Sequence, residues 1–229
     1  MQTEQLDPST GQRLSAKSDL APYESRVIIF ERAGLPRVER IRVDRPFQMD
    51  LSDDWNVTFP GTAASVKMTQ LRSWTDDEKT KFFSGTATYE KTVNVPNEGF
   101  YHLSFGEGTP VPETPRRNGM RACLESPVRE AAQVYINGHP AGSVWHPPYA
   151  LDVPMDKGEN RIRIVVANLA INALAGQKLP DYKELMAKYG DRFQMQDMDH
   201  LQPVPSGIRG PVQIVYGTEV SDTSGQRSN

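Results

Sequence analysis

The stretch 133–149 constrains the fold most tightly. Val134 and Ile136 alternate with Gln133, Tyr135 and Asn137, the period of two that a half-buried strand requires. Asn137-Gly138 supplies the two positive-φ positions of a type I′ turn, so the chain reverses there. The return strand runs through Ala141, Gly142 and Ser143 to Val144 and stops before Pro147-Pro148, because proline cannot donate to a ladder. Trp145 and His146 therefore sit at a strand end, rigidly held yet open to solvent. A sugar presents apolar C–H faces ringed by hydroxyls, and a flat aromatic beside hydrogen-bonding side chains suits it. Trp145 and His146 are accordingly candidate carbohydrate contacts, with core filling as the competing role for Trp145. Tyr149, Asn137 and Arg129, in and beside the same hairpin, complete the candidate set.

The rest of the chain keeps this rhythm. Eighteen prolines and seventeen glycines in 229 residues favour many short strands over long helices. Strands are expected at 26–30, 38–43, 55–59, 84–95, 101–105, 151–153, 161–166 and 211–216, where large apolar residues alternate or cluster between turn signals. Trp55 reads as core, and Gly158-Glu159-Asn160 reads as the turn between 151–153 and 161–166. Thr75 and Glu78 stand at capping-box spacing after Trp74, as do Asp181 and Glu184, so a short helix is expected at each. In the second, Tyr182, Leu185, Met186 and Tyr189 fall on one helical face and Gly190 follows as a C′ residue, so a two-turn amphipathic helix is expected to lie on the sandwich. The fold class is mainly β: an antiparallel β-sandwich with one or two short helices in loops. Residues 1–20 are polar and aperiodic and read as a disordered lead or linker stub, 21–217 as one domain, and 218–229 as a flexible tail.

Several motifs in order carry a resemblance. The segment from Pro127-Val128-Arg129-Glu130-Ala131-Ala132 through the hairpin, Trp145-His146-Pro147-Pro148-Tyr149 and 158–164 resembles the galactose-binding-like jelly roll of large glycoside hydrolases. Leu179-Pro180-Asp181-Tyr182, 189–193, Gln196-Asp197-Met198 and Pro205-Ser206-Gly207-Ile208-Arg209-Gly210-Pro211-Val212 resemble the C-terminal region of family 106, the α-L-rhamnosidases. Upstream, 23–30, 73–76 and 83–89 fit the same region, so the resemblance spans roughly residues 20 to 217. It implies a carbohydrate partner, a rhamnose-containing glycan, and a neighbouring catalytic domain or self-association through an apolar face. Candidates for that face are Tyr182, Tyr189, Phe193 and the 106–127 loop. Enzymes of that family are several times longer, are typically periplasmic or secreted, and carry their catalytic acids in a preceding barrel domain.

Composition narrows the partners. A net charge of −3 with interspersed signs offers no basic stripe for nucleic acid. No apolar run approaches the ~20 residues that span a bilayer, and Met1 to Lys17 lacks the apolar centre of a signal peptide. A secreted parent stays open, so localisation is not assigned. Cys123 is the single cysteine, which precludes an internal disulfide, and it reads as a small buried hydrophobe. Arg116, Arg117 and Arg121 read as a solvated cluster. Asp197, Asp199 and His200 lack both a zinc-ligand partner cluster and the glycine and closing glutamate of a calcium loop. No cofactor is expected, with a structural calcium kept as the alternative.

No nucleophile elbow, zinc helix or phosphate loop is present in the sequence. Glycoside hydrolysis needs two carboxylates about 5 to 9.5 Å apart, and the acids without another explanation are Glu107, Glu125, Glu130, Asp197 and Asp199. Two classes remain: a sugar-binding or enzyme-supporting sandwich, and a small free-standing hydrolase of rhamnose-containing glycosides built on loop carboxylates.

Overall fold

The computed structural model of the chain describes residues 2–6, 13–17, 47–61, 65–112, 124–178, 182–190 and 201–217. Near its start β1 (Gln2–Leu6) pairs with β2 (Arg13–Lys17). The body then runs through β3 (Phe47–Asp50), β4 (Asp53–Thr58), β5 (Ser65–Gln70), β6 (Thr86–Val95) and β7 (Gly99–Ser104). Three two-residue strands follow: β8 (Thr109–Pro110), β9 (Leu124–Glu125) and β10 (Val128–Arg129). Next come β11 (Ala131–Ile136), β12 (His139–Val144), β13 (Ala150–Met155) and β14 (Gly158–Ala167). Helices α1 (Ile171–Ala175) and α2 (Tyr182–Tyr189) precede β15 (Gly207–Ile208) and β16 (Gln213–Tyr216).

Two antiparallel sheets make the sandwich. Six strands run in the order β12-β11-β14-β6-β4-β5, and four in the order β13-β7-β16-β3. Alternation decides what lies between them. From the larger sheet, Trp55, Val57, Ala87, Tyr89, Val134, Ile162 and Ile164 point inward; from the smaller, Tyr101, Leu103, Val153 and Ile214 meet them in one buried cluster. Aligned packing of two inner faces removes water from both at once, which is the main stabilising contribution in such a fold. Lys91 occupies an inward position on β6, yet its Nζ lies over the Trp55 ring at 5.9 Å and donates to the Asp53 carbonyl at 2.6 Å. The charge thereby leaves the core while the methylenes stay in it.

The hairpin is as the sequence predicts. Asn137 (φ 52°) and Gly138 (φ 85°) join β11 to β12. Tyr89 and Trp55 are completely buried, as their alternation implies. Four expectations need correction. The lead contains a paired hairpin, β1–β2, where no order is expected; a backbone ladder needs no apolar period, so alternation gives no sign of it. The cap before the first helical turn is Ser73 with Asp76, not Thr75 with Glu78: Ser73 Oγ accepts from Thr75 N at 3.2 Å and Asp76 accepts from Ser73 N at 3.1 Å. Trp74 is the reason, because burying its indole starts the turn one residue after Ser73. Gly158 begins β14 rather than making a turn, which falls at Asp156-Lys157. Helix α2 forms, but Met186 and Tyr189 remain 42% and 48% exposed, so their face is not buried on the sandwich. The expected strands at 26–30 and 38–43, and residues Arg116, Arg117, Arg121, Cys123, Asp181 and Phe193, lie outside the described residues.

The segment 201–212 locks one end of the sandwich. Its Ser206 is 1% exposed and shares its hydroxyl with the amides of Asn168 (3.1 Å) and Asn172 (3.0 Å), while its backbone N donates to Ser73 Oγ at 3.0 Å. Trp74 Nε1 donates to the Tyr89 hydroxyl at 2.5 Å, and Ile208 N donates to the same oxygen at 3.4 Å. Each buried polar group therefore has a partner, the condition under which a buried network stabilises rather than costs. Gly207 makes the approach feasible. With φ 92°, it lies so close that a Cβ would sit 2.7 Å from the Tyr89 oxygen and collide with Trp74 Nε1.

Candidate functional site

The end that segment 201–212 locks also receives the last residue of β12. Val144 is buried and the next side chain, Trp145, turns outward with 65% of its surface exposed. Core filling is thus excluded for Trp145. The His146 ring stands edge-on to the indole, with centroids 4.4 Å apart and planes at 87°. His146 Nδ1 lies 2.6 Å from the Pro147 carbonyl. A carbonyl can only accept, so Nδ1 carries a proton and Nε2 is the ring atom left to meet a ligand.

Pro147 and Tyr149 turn inward where Trp145 turns out. Tyr149 is 7% exposed, and its backbone oxygen accepts from Phe105 N at 2.9 Å, which hands the chain to the smaller sheet. Burial pushes the Tyr149 hydroxyl above its ordinary pKa, partly opposed by a hydrogen bond with Ser126; nearby Glu130 raises it further and Arg129 lowers it. Those two charges come from β10 and the residue after it. Arg129 pairs through its backbone with Gly207, and its Nε reaches Glu130 Oε1 at 3.2 Å. A second pair, Arg209 with Glu125 at 2.9 Å, lies on the same segments. Peptide bonds Arg129-Glu130 and Pro147-Pro148 are both cis.

The structure therefore gathers Trp145, His146, Tyr149 and Arg129 at one end and places Asn137 at the other. Six residues of β11 separate that turn from Glu130, roughly 20 Å at ~3.3 Å per residue. Asn137 is also fully engaged: its amide donates to Asn160 (2.9 Å) and Asp156 (3.1 Å), and its oxygen accepts from Arg161 N (2.8 Å). It staples the hairpin to the β13–β14 connection, and its position and bonds separate it from the indole. Glu130, read from the sequence as a possible catalytic acid and not as a sugar contact, stands beside Tyr149 and Arg129. Its one sequence signal towards the sugar-contact set is adjacency to Arg129.

The candidate acids among the described residues are each exposed or paired with an arginine. Glu125 and Glu130 each face a guanidinium, and Glu107 is exposed. A proton donor with a raised pKa needs desolvation, and no Asp or Glu among the described residues is buried. Asp197, Asp199 and His200 lie outside them. Among the described residues no group of three or more His, Cys, Asp or Glu side chains could hold a metal, and no helix is long and apolar enough to cross a membrane.

No protein-family model matches the chain. Over 143 residues, 59% of its length, it is 35% identical to a Formosa agariphila protein that carries the provisional name beta-glucuronidase, of which the match covers 11%. Among solved structures it is similar to a rhamnosidase from Novosphingobium sp. PP1Y, with a TM-score of 0.51 and 26% identity over 78% of this chain and 16% of that one. A GH2 beta-galacturonidase from Eisenbergiella tayi matches 74% of the chain at 18% identity and a TM-score of 0.44. This chain thus spans only 11% and 16% of the first two proteins. It is a glycoside hydrolase-like domain with a mainly β, sandwich fold.

Proposed function

We propose that this glycoside hydrolase-like domain is an accessory sandwich of the family 106 α-L-rhamnosidase kind, which holds a rhamnose-containing glycan or supports a catalytic domain and does not hydrolyse glycosides alone. The observation that carries the reading is the exposed Trp145 indole, fixed at a strand end beside His146, on the segment that leads to Tyr149, which stands near the Arg129–Glu130 pair. An indole face covers the apolar side of a pyranose, while Nε2 of His146 and the ion pair offer hydrogen-bonding atoms for its hydroxyls. The chain needs no cofactor for this role.

The fold supports the reading that the chain alone is silent towards substrate. A sandwich fills its interior with side chains, so a cleft must come from loops, and the described loop carboxylates are exposed or paired. Titration of the chain with rhamnose-containing oligosaccharides, followed by tryptophan emission, tests binding: Trp55 and Trp74 are fully buried, so a ligand-dependent change reports on Trp145. Binding lost in Trp145→Ala at unchanged stability supports the reading, and no emission change with any such glycan removes its sugar-binding half. In parallel, an aryl α-L-rhamnoside should remain intact. Turnover that disappears in two of Glu107→Gln, Glu125→Gln, Asp197→Asn and Asp199→Asn would establish a free-standing hydrolase instead.

A further inference from the structure

We propose that the outer face of the four-stranded sheet is a second carbohydrate surface, suited to an uncharged glycan lying across β13, β7, β16 and β3. It rests on the carbohydrate-associated reading above but not on Trp145. Register sets Asp152, His102, Val215 and Gln48 in a single row across the four strands. At ~4.8 Å per strand that row is roughly 14 Å long. His102 Nδ1 and Asp152 Oδ1 are 2.9 Å apart, and Gln48 Nε2 donates to Gln213 Oε1 at 2.8 Å. Each pair orients its members and leaves other atoms available: Nε2 of His102, the second Asp152 oxygen, the Gln48 carbonyl and the Gln213 amino group. One register step away, Phe100 stands opposite Pro154 with 68% of its surface exposed.

The charge pattern selects the ligand. The outer face of the six-stranded sheet is laced with ions: Lys67 pairs with Asp54, Arg161 with Glu90, and Arg163 lies over Tyr135. That is the ordinary composition of a solvated sheet face. No Lys or Arg points outward from the four strands of the smaller sheet, whose charged outward groups are acidic. Such a face does not complement phosphate, a uronate or an anionic membrane. It complements neutral hydroxyls, which donate to carboxylate and amide oxygens, and a pyranose face, which covers an exposed phenyl ring.

Calorimetric titration with a neutral rhamnose-containing oligosaccharide and with an oligogalacturonide of equal length decides the matter, on wild type, Phe100→Ala, His102→Gln and Trp145→Ala. The expected result is binding of the neutral chain alone, weakened about three- to tenfold in each of the β7 variants and retained in part in Trp145→Ala. Unchanged thermal midpoints in the β7 variants, whose side chains are exposed, separate lost binding from lost folding. Binding intact in both β7 variants but lost in Trp145→Ala overturns this proposal and leaves the Trp145 reading standing. Equal or tighter binding of the oligogalacturonide overturns it too. So does a Phe100→Ala variant whose only change is loss of self-association by light scattering, since the face would then be a protein interface; absence of any neutral-glycan binding ends it outright.

Discussion

Tyr89 shows how a single buried hydroxyl makes stability depend on pH. Burial drives its pKa up to about 12 from 10.0, with the Trp74 and Ile208 hydrogen bonds opposing the rise. In the unfolded chain it loses its proton near 10, whereas the folded chain keeps it, so the folded state binds more protons between about pH 10 and 12 and stability falls across that window. Below pH 10 the contribution is complete. Urea unfolding of wild type and Tyr89→Phe should therefore converge as pH rises from 10 to 12, and parallel curves would refute the assignment. Gly207 offers a test on the same network. An alanine there would meet Trp74 and the Tyr89 oxygen at a φ of 92°, so Gly207→Ala should cost about 1–3 kcal/mol or more, read as a lower urea midpoint. Trp145 is the opposite case: at 65% exposure its removal leaves the core untouched.

The β11–β12 hairpin separates a structural role from a recognition role within one element. Asn137 holds the left-handed turn and bonds Asn160, Asp156 and Arg161, whereas Trp145 beyond the far end of β12 meets solvent. Asn137→Ala should thus destabilise the fold by about 1–3 kcal/mol and leave glycan titration unchanged, while Trp145→Ala should do the reverse. Thermal melts and titrations on the two variants form a crossed comparison, and any matching pair of effects would contradict it. The hairpin was legible because Asn-Gly within an alternating stretch specifies a turn locally. The Ser73 cap was not, because its position depends on where Trp74 is buried, and that depends on Gly207 from the other end of the chain.

At the scale of the molecule, Phe82, Leu169 and Leu174 stay 40%, 47% and 42% exposed. Ser84 Oγ donates to the Leu169 carbonyl and Gly176 abuts the Phe82 ring, which brings these positions together near α1. Apolar surface of this kind favours association, so the light-scattering mass of the chain should rise with concentration and Leu174→Ser should suppress the rise. A monomer at all concentrations would count against it. The sequence by itself determined the sandwich class, the hairpin and the inward stations of Trp55, Tyr89, Leu103 and Ile164, since a period of two and local turn chemistry act between neighbours along the chain. Only the tertiary structure decided that Trp145 faces solvent, that Asn137 lies at the opposite end from it, and that Glu125 and Glu130 are held by Arg209 and Arg129. The physical reason is range: which strand end a side chain shares, and which charge meets which, depends on register between segments far apart in sequence, and alternation carries no record of that register.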